Sequence, residues 1–350
     1  MKILITGGCG FIGSNFLRYF NHKYPFHKIL NVDKLTYAGN LENIKGLEQK
    51  KNYRLTRSDI ANAATMKRIF EKFKPEAIIN FAAETHVDRS ILSPAPFIKT
   101  NFLGVGVLLN LALKHQVKKF LHISTDEVYG SILHGRFRED SPLDPSSPYA
   151  ASKAAADVLV LSYYKTHRLP IIITRSSNNF GPYQFPEKLI PLAILNALKN
   201  KKIPVYGDGL NIRDWLFVED NCAAIDRVFN EGDIGEIYNI GGENELTNIY
   251  VVRRILKILG KNDKLITYIQ DRPGHDRRYS LSLNKIRRQV SWHPNVSFET
   301  GIKRTIEWYR KNAKWLKSTQ SGEYREFYNR LYARLGLPET GLKESEEKKS

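Results

Sequence analysis

Cysteine is scarce. Cys9 and Cys222 are the only two in a chain of 350 residues, too few for a disulfide framework, and this fits a cytosolic setting. No apolar run reaches the ~18–20 residues that cross a bilayer, so no membrane partner is expected. The opening Met1–Thr6 stretch is short and leads straight into glycines, unlike a signal peptide. There is no internal repeat and no low-complexity basic arm. The 54 Lys and Arg against 36 Asp and Glu give a net charge of +18, but they are scattered. Basicity without a recognition motif is expected to be an enzyme surface that meets an anionic substrate; no nucleic acid partner and no metal site are expected.

What is present is an ordinary globular balance, 42% hydrophobic and 26% charged. Residues 2–6, 29–33, 53–56, 77–81, 120–124 and 171–174 read as strands. Helical patterns lie at 11–20, 62–73 and 100–115, and another starts near Tyr149. This alternation predicts an α/β fold: a Rossmann-type doubly wound parallel sheet covered on both faces. Past about residue 180, prolines at 182, 186, 191 and 204 break the rhythm, and 236–240 reads as a late strand. Residues 1–180 are therefore expected to form the Rossmann domain with the catalytic residues. Residues 181–336 are expected to form a smaller C-terminal substrate-binding lobe, partly interleaved with the sheet. The polar 337–350 tail is expected to be disordered.

Gly7, Gly8, Gly10 and Gly13 lie between the first strand and the first helix. Glycine lets the backbone turn tightly and approach a pyrophosphate, and the helix N-terminus supplies N–H groups and a positive dipole end. Asp33 stands twenty residues past Gly13, at the end of the second strand, where a carboxylate would hold a ribose 2′-hydroxyl and repel a 2′-phosphate. The cofactor expected is NAD rather than NADP, although Lys34 next door weakens the contrast. Asp59, after the third strand, is read either as an adenine neighbour or as a helix N-cap.

Tyr149 and Lys153 open a helix at i, i+4 spacing, which puts phenol and ammonium on one face. A free tyrosine titrates near ~10. A lysine cation beside it stabilises the phenolate, so the pair suits removal of a hydroxyl proton as hydride leaves the carbon. Thr125, Asp126 and Glu127 follow the fifth strand, at the carboxyl edge where open α/β sheets place ligands. Thr125 could orient the reacting oxygen. The two adjacent carboxyls could serve as acid and base, or could line a solvated turn.

Several long blocks, ITGGCGFIGSNF, VDKLTYAGN, FAAETHVDRS, STDEVYG, PYAASKAAAD, RSSNNFGPYQFPEKLIP, YGDGLNIRDW and DRPGHDRRY, resemble the extended short-chain dehydrogenase/reductase superfamily. Within it they are most similar to the dTDP-glucose 4,6-dehydratase family, from about residue 2 to 310. The Thr-Asp-Glu block is the most informative, because related epimerases and decarboxylases usually differ there. The resemblance implies a lyase that dehydrates dTDP-glucose to dTDP-4-keto-6-deoxyglucose. Tyr149 and Lys153 would serve NAD-dependent oxidation at carbon 4 with Thr125 on the same oxygen. Glu127 would take the carbon-5 proton, Asp126 would protonate the departing carbon-6 hydroxyl, and hydride would return to carbon 6.

The resemblance also implies contacts. NAD would be held by Gly7, Gly10, Phe11, Ile12 and Gly13, by Asp33, Lys34 and Thr36, by Asp59 and Ile60, and by Ala82, Ala83, Asn101 and Asn179, together with Tyr149 and Lys153. The nucleotide sugar would meet Thr85, Thr125, Asn178, Lys188, Leu189, Pro204, Tyr206, Arg213, Asn248, Asp271, Arg272 and His275. Arg213 suits a pyrophosphate, since a guanidinium can bind two phosphate oxygens at once. His86 is read as structural, and Arg277 and Arg278 as either helpers or surface charges. A homodimer pairing through helices near 100–115 and 150–167 is expected. Two alternatives remain: a UDP-glucose 4,6-dehydratase or a UDP-sugar epimerase or decarboxylase of the same fold, and a non-enzymatic dinucleotide sensor or nucleic-acid-binding module.

Overall fold

A computed structural model describes residues 1–319; the expected disordered tail at 337–350 and the end of the 181–336 lobe lie outside them. Six strands, β1 (Lys2–Thr6), β2 (Lys28–Asp33), β3 (Tyr53–Arg57), β4 (Ala77–Asn80), β5 (Lys119–Thr125) and β6 (Ile171–Ser176), come from the first half of the chain. The second half adds β7 (Asn178–Phe180), β8 (Ile203–Tyr206), β9 (Ile212–Phe217), β10 (Ile237–Ile240), β11 (Glu245–Thr247) and β12 (Ile266–Ile269). One parallel sheet of seven strands runs β10-β6-β5-β4-β1-β2-β3. The order reverses at β1, whose carboxyl end therefore opens a crevice beside β4, the place such sheets bind ligands.

The inner strands are buried on both faces, and their side chains alternate between two cores; edge strand β3 leaves Arg54 and Arg57 exposed. Ile3 and Ile5 pack with Phe16, Leu17 and Phe20 of the 11–23 helix. Leu4 points the other way, to Met66, Phe70, Leu108, Leu109 and Val160. The period-two alternation is what a sheet covered on both faces requires. A third core gathers Phe180, Ile194, Phe217, Ile255, Ile302 and Trp315 beneath the small sheets β11-β9-β7 and β12-β8.

The chain beyond residue 180 does not stay in its own lobe. β10 completes the edge of the main sheet, and Val228, Phe229 and Ile286 share a core with β1. The helical stretch Ala95–Lys114 also departs from the sequence reading. It runs 20 residues with mean hydropathy 1.4 and is long and apolar enough to cross a membrane, yet half of it is buried in the fold. Lys99 and Asn101 interrupt the apolar run in sequence, which hid its length. Its Ile98–Gly104 part is a π-type turn that swings Asn101 fully inward.

Candidate active site

A single cleft runs along the carboxyl ends of the sheet and under the second lobe. Its floor is the glycine loop. Gly7 has φ +72, and a Cβ there would lie 2.5 Å from the Ala82 backbone nitrogen. A Cβ on Gly13 would lie 2.3 Å from the Gly7 carbonyl oxygen. Both distances are far inside contact, so only glycine lets this loop fold against β4 and bring the N-terminus of the 11–23 helix to the cleft. Gly7→Ala is expected to cut NAD affinity by more than about tenfold with the sheet intact, since the displaced turn disturbs the anion-binding N–H groups. Calorimetric titration of the apoprotein with NAD checks this; unchanged affinity would remove the loop from the site.

Asp33 is 8% exposed at the end of β2. Its two oxygens accept the Cys9 and Leu35 N–H groups, each at 2.8 Å. Burial raises its pKa, and those backbone donors oppose the rise. Asp59 is held by Lys34 at 2.9 Å and by the Ala61 N–H at 2.9 Å. Burial pushes its pKa up, but these partners outweigh that and lower it. It is not the helix N-cap: Asn62 takes that place, accepting the Thr65 N–H.

The 148–167 helix presents the reacting groups. Ser147 caps it, accepting the Ala150 N–H at 3.1 Å, and Pro148 fills the first position, where no N–H is needed. Tyr149 and Lys153 both face the cleft. The structure adds a correction to the expected lowering of the phenol. Burial drives the Tyr149 pKa up, Glu127 adds to this, and Thr125 opposes it by hydrogen bonding. Lys153 Nζ donates to the Ile123 carbonyl at 2.7 Å. Burial brings Lys153 itself down to about 8.

Thr125 ends β5. Its Oγ1 donates to Asp126 Oδ1 at 3.2 Å and accepts the Glu127 N–H at 3.3 Å. The two carboxyls differ in surroundings. Burial, Glu127 and Asp214 push Asp126 well above the usual carboxylate range. Glu127 is also raised by burial, but Arg272, Lys188 and Arg213 pull it back. Neighbouring carboxyls whose environments separate them can hold opposite protonation states.

Arg213 is fixed by the Ile212 and Asp276 carbonyls at 2.8 and 2.9 Å, with its guanidinium 4.3 Å from the Tyr279 ring centroid. Lys188 donates to the Thr85 carbonyl at 2.8 Å. Tyr206 donates to Asp88 at 3.3 Å and meets the His275 ring edge-on at 5.9 Å. Burial, with Arg272 next, lowers His275 to about 4, so it is neutral.

Nearly all the residues singled out in the sequence line this one cleft, from Phe11, Ile12, Thr36 and Ile60 to Ala83, Leu189 and Pro204. Asn101 and Asp271 do not. Asn101 is spent on its surroundings: it donates to the Glu84 carbonyl and Ser152 Oγ, each at 2.9 Å, and accepts the Glu84 N–H at 2.8 Å. It braces the 82–86 loop from outside the cleft lining. Asp271 binds His275 Nδ1 at 2.6 Å from outside. His86 caps the 87–92 helix through the Arg89 N–H at 3.3 Å. Arg277 pairs with Asp208 at the surface, and Arg278 pairs with Glu245.

Glu187 and Tyr279 are among the cleft residues not singled out in the sequence. Glu187 is buried beside His86 and Arg89, 3.6 and 3.8 Å away, accepts the Tyr37 hydroxyl at 3.4 Å, and is pushed up to about 7 by burial. Tyr279 donates to Asp276 at 2.6 Å. Glu187 adjoins Lys188 in a motif block, but its neighbours come from two distant segments, around Tyr37 and at 86–89, that no local spacing could reveal.

The cleft also carries buried polar atoms without partners: Ser124 Oγ, Asp126 Oδ2, Asn178 Oδ1, Asn179 Oδ1, Asn248 Oδ1 and Arg272 Nε. Buried polar groups are almost always hydrogen-bonded, so this set of unpaired atoms in the cleft lining calls for a polar ligand. Together with the glycine loop and Asp33, they fit a dinucleotide and a second polyhydroxylated molecule beside it.

The model of the GDP-mannose 4,6 dehydratase family matches residues 4–305. The chain is 47% identical to the dTDP-glucose 4,6-dehydratase of Salmonella typhimurium, covering 95% of this chain and 99% of that one. It superimposes on a dTDP-glucose 4,6-dehydratase from Bacillus anthracis in complex with NAD, with TM-score 0.86 and 50% identity over 91% of this chain and 100% of that one. A dTDP-glucose 4,6-dehydratase from Streptomyces venezuelae, with NAD and a second ligand bound, gives TM-score 0.89 and 44% identity over the same shares.

Proposed function

Because the chain belongs to the dTDP-glucose 4,6-dehydratase family, we propose that it converts dTDP-glucose to dTDP-4-keto-6-deoxyglucose and water with bound NAD. The observation that carries this reading is the pair Asp126 and Glu127, set beside Tyr149 and Lys153 and separated electrostatically. An epimerase needs only the tyrosine and lysine.

Tyr149 takes the proton of the carbon-4 hydroxyl, with Thr125 holding the same oxygen. Bound NAD, held by the glycine loop and Asp33, would supply the hydride acceptor for carbon 4 and the hydride for carbon 6, with no net change over a cycle. The carbon-4 ketone acidifies carbon 5. Glu127, drawn toward ionisation by three cations, removes that proton. Asp126, held protonated, gives its proton to the departing carbon-6 hydroxyl. Glu127 then reprotonates carbon 5 as hydride arrives at carbon 6. One turnover leaves Tyr149 a proton richer and Asp126 a proton poorer, and Thr125 Oγ1 lies between them.

Asn178, Asn179 and Asn248 have unused acceptors for the sugar and the nicotinamide side. Arg213 and Arg272 supply charge for the pyrophosphate, and Pro204 and Tyr206 form a wall for the base. The two buried, unpaired cysteines fit a cytoplasmic enzyme. Ile98, Leu103 and Val158, each more than half exposed on the 95–114 and 148–167 helices, support pairing of two copies there.

Product analysis with dTDP-, UDP- and CDP-glucose side by side tests the reading. The expected result is a 4-keto-6-deoxy product, absorbing in alkali, formed fastest from dTDP-glucose. A 4-epimer or released carbon dioxide would overturn dehydration; a preference for UDP-glucose would overturn only the nucleotide.

A further inference from the structure

Beneath Lys153 lies a buried polar ladder that the reaction as described does not use. It starts at Thr6, the residue before Gly7 of the cofactor loop, whose hydroxyl donates to Asn80 Oδ1 at 2.5 Å. Asn80 Nδ2 then meets His122 Nδ1 at 3.1 Å. These three residues are register partners on β1, β4 and β5, so the ladder crosses the sheet under the catalytic helix. His122 Nε2 lies 3.4 Å from Lys153 Nζ and 3.7 Å from Asp157 Oδ1. Asp157 stands one turn after Lys153 on the same helix, fully buried. Its Oδ2 accepts Arg175 Nε at 2.8 Å, while its Oδ1 accepts no hydrogen bond.

A buried carboxylate with one oxygen committed and the other unspent is costly unless a charge compensates it. Arg175 on β6 accounts for one oxygen. His122 is held neutral, its pKa pushed well down by burial and then by Lys153 and Arg175. With the Asn80 amide at Nδ1, His122 Nε2 is left between the unspent oxygen, 3.7 Å away, and Lys153 Nζ, 3.4 Å away. The remaining cation is Lys153. Burial pulls it toward the neutral amine, and Asp157 is the group that opposes this.

We infer that Asp157, anchored by Arg175 and walled by His122, is a positioning residue that keeps the Lys153 side chain charged and aimed into the cleft. A lysine in a dry wall would otherwise give up its proton and lose its hold on the Tyr149 phenolate. The ladder also ties the lysine to the strand end that carries the cofactor loop. Lys153 therefore depends on a carboxylate that never meets substrate. This inference rests on the oxidation role given to Tyr149 and Lys153.

The test is the pH profile of kcat for the NAD-loaded enzyme, with an NMR titration of Lys153 Nζ in the same protein as a readout that needs no turnover. Three variants are compared: Asp157→Asn, Asp157→Glu, and the double replacement Asp157→Leu with Arg175→Met. The double variant removes both buried charges, so it is the form expected to stay folded if Asp157→Asn does not. The expected result is an alkaline limb, and a Lys153 titration, moved down by about one pH unit or more in Asp157→Asn and in the double variant. Activity above the limb falls about tenfold for each unit moved. Asp157→Glu restores most of the shift. A structural role alone would lower thermal stability but leave both titrations where they are. Unmoved titrations in a folded variant overturn the inference and leave the dehydratase reading standing. A wild-type enzyme that does not dehydrate dTDP-glucose overturns that reading, and the NMR titration still decides whether Asp157 holds Lys153 charged.

Discussion

Tyr149→Phe is expected to lower kcat by about 10³-fold, because it removes the group that accepts the first proton and leaves the rest of the site in place. The ring packs edge-on against Phe97 at 6.3 Å, alongside Val87. Phenylalanine keeps that packing, so the fold and NAD content should match wild type. In a single turnover with dTDP-glucose, no reduced nicotinamide should appear. Its appearance at the wild-type rate would mean that another group takes the proton. The structure sharpens this prediction. In the protein alone burial raises the phenol, so nothing in the apoprotein ionises Tyr149 at neutral pH. The phenolate must form with the ligands bound and Lys153 charged.

Glu127→Gln is expected to fail one step later and just as severely, by about 10³-fold. Oxidation at carbon 4 needs no carboxylate, so reduced nicotinamide should accumulate to one per site and persist. Exchange of the carbon-5 hydrogen with solvent deuterium should stop. Full turnover would remove Glu127 as the base. The pH dependence follows from the same geometry. A base must be ionised, and burial holds the Glu127 pKa above the ordinary carboxylate value. The acid limb of kcat should therefore lie higher in pH than that of an exposed glutamate. Arg272, Lys188 and Arg213 oppose that rise, so removing one of them should move the limb higher still. Asp126 is lowered by Arg213 too, but burial, Glu127 and Asp214 outweigh that. It keeps its proton at pH values where Glu127 has lost one, which is the order that elimination demands.

The assignment of acid and base marks where sequence reading ended. Adjacency of Asp126 and Glu127 said that two carboxyls were available; which kept the proton depended on Arg213, Arg272, Lys188 and Asp214, drawn from distant stretches of chain. Glu187 escaped notice for the same reason. Asn101, expected at the cofactor, lies outside the cleft lining. It lies in a stretch that follows the cofactor strands, but the π-type turn at Ile98–Gly104 points it away from the cleft and into the 82–86 loop. A one-residue change in helical pitch decided that, and no composition signal announces it.

The sequence by itself determined the elements and the chemistry available. Strand–helix alternation, the glycine loop after β1, Asp33 after β2 and the i, i+4 pair Tyr149 and Lys153 are local patterns. Each is dictated by backbone sterics and helical period, and each can be read within a few residues. Tertiary structure alone decided how charge is distributed among those groups. It left the Tyr149 phenol raised, set Asp126 above Glu127, and placed Asp157 and His122 under Lys153. Burial and Coulomb interactions act through space, between residues whose separation along the chain carries no trace of their distance.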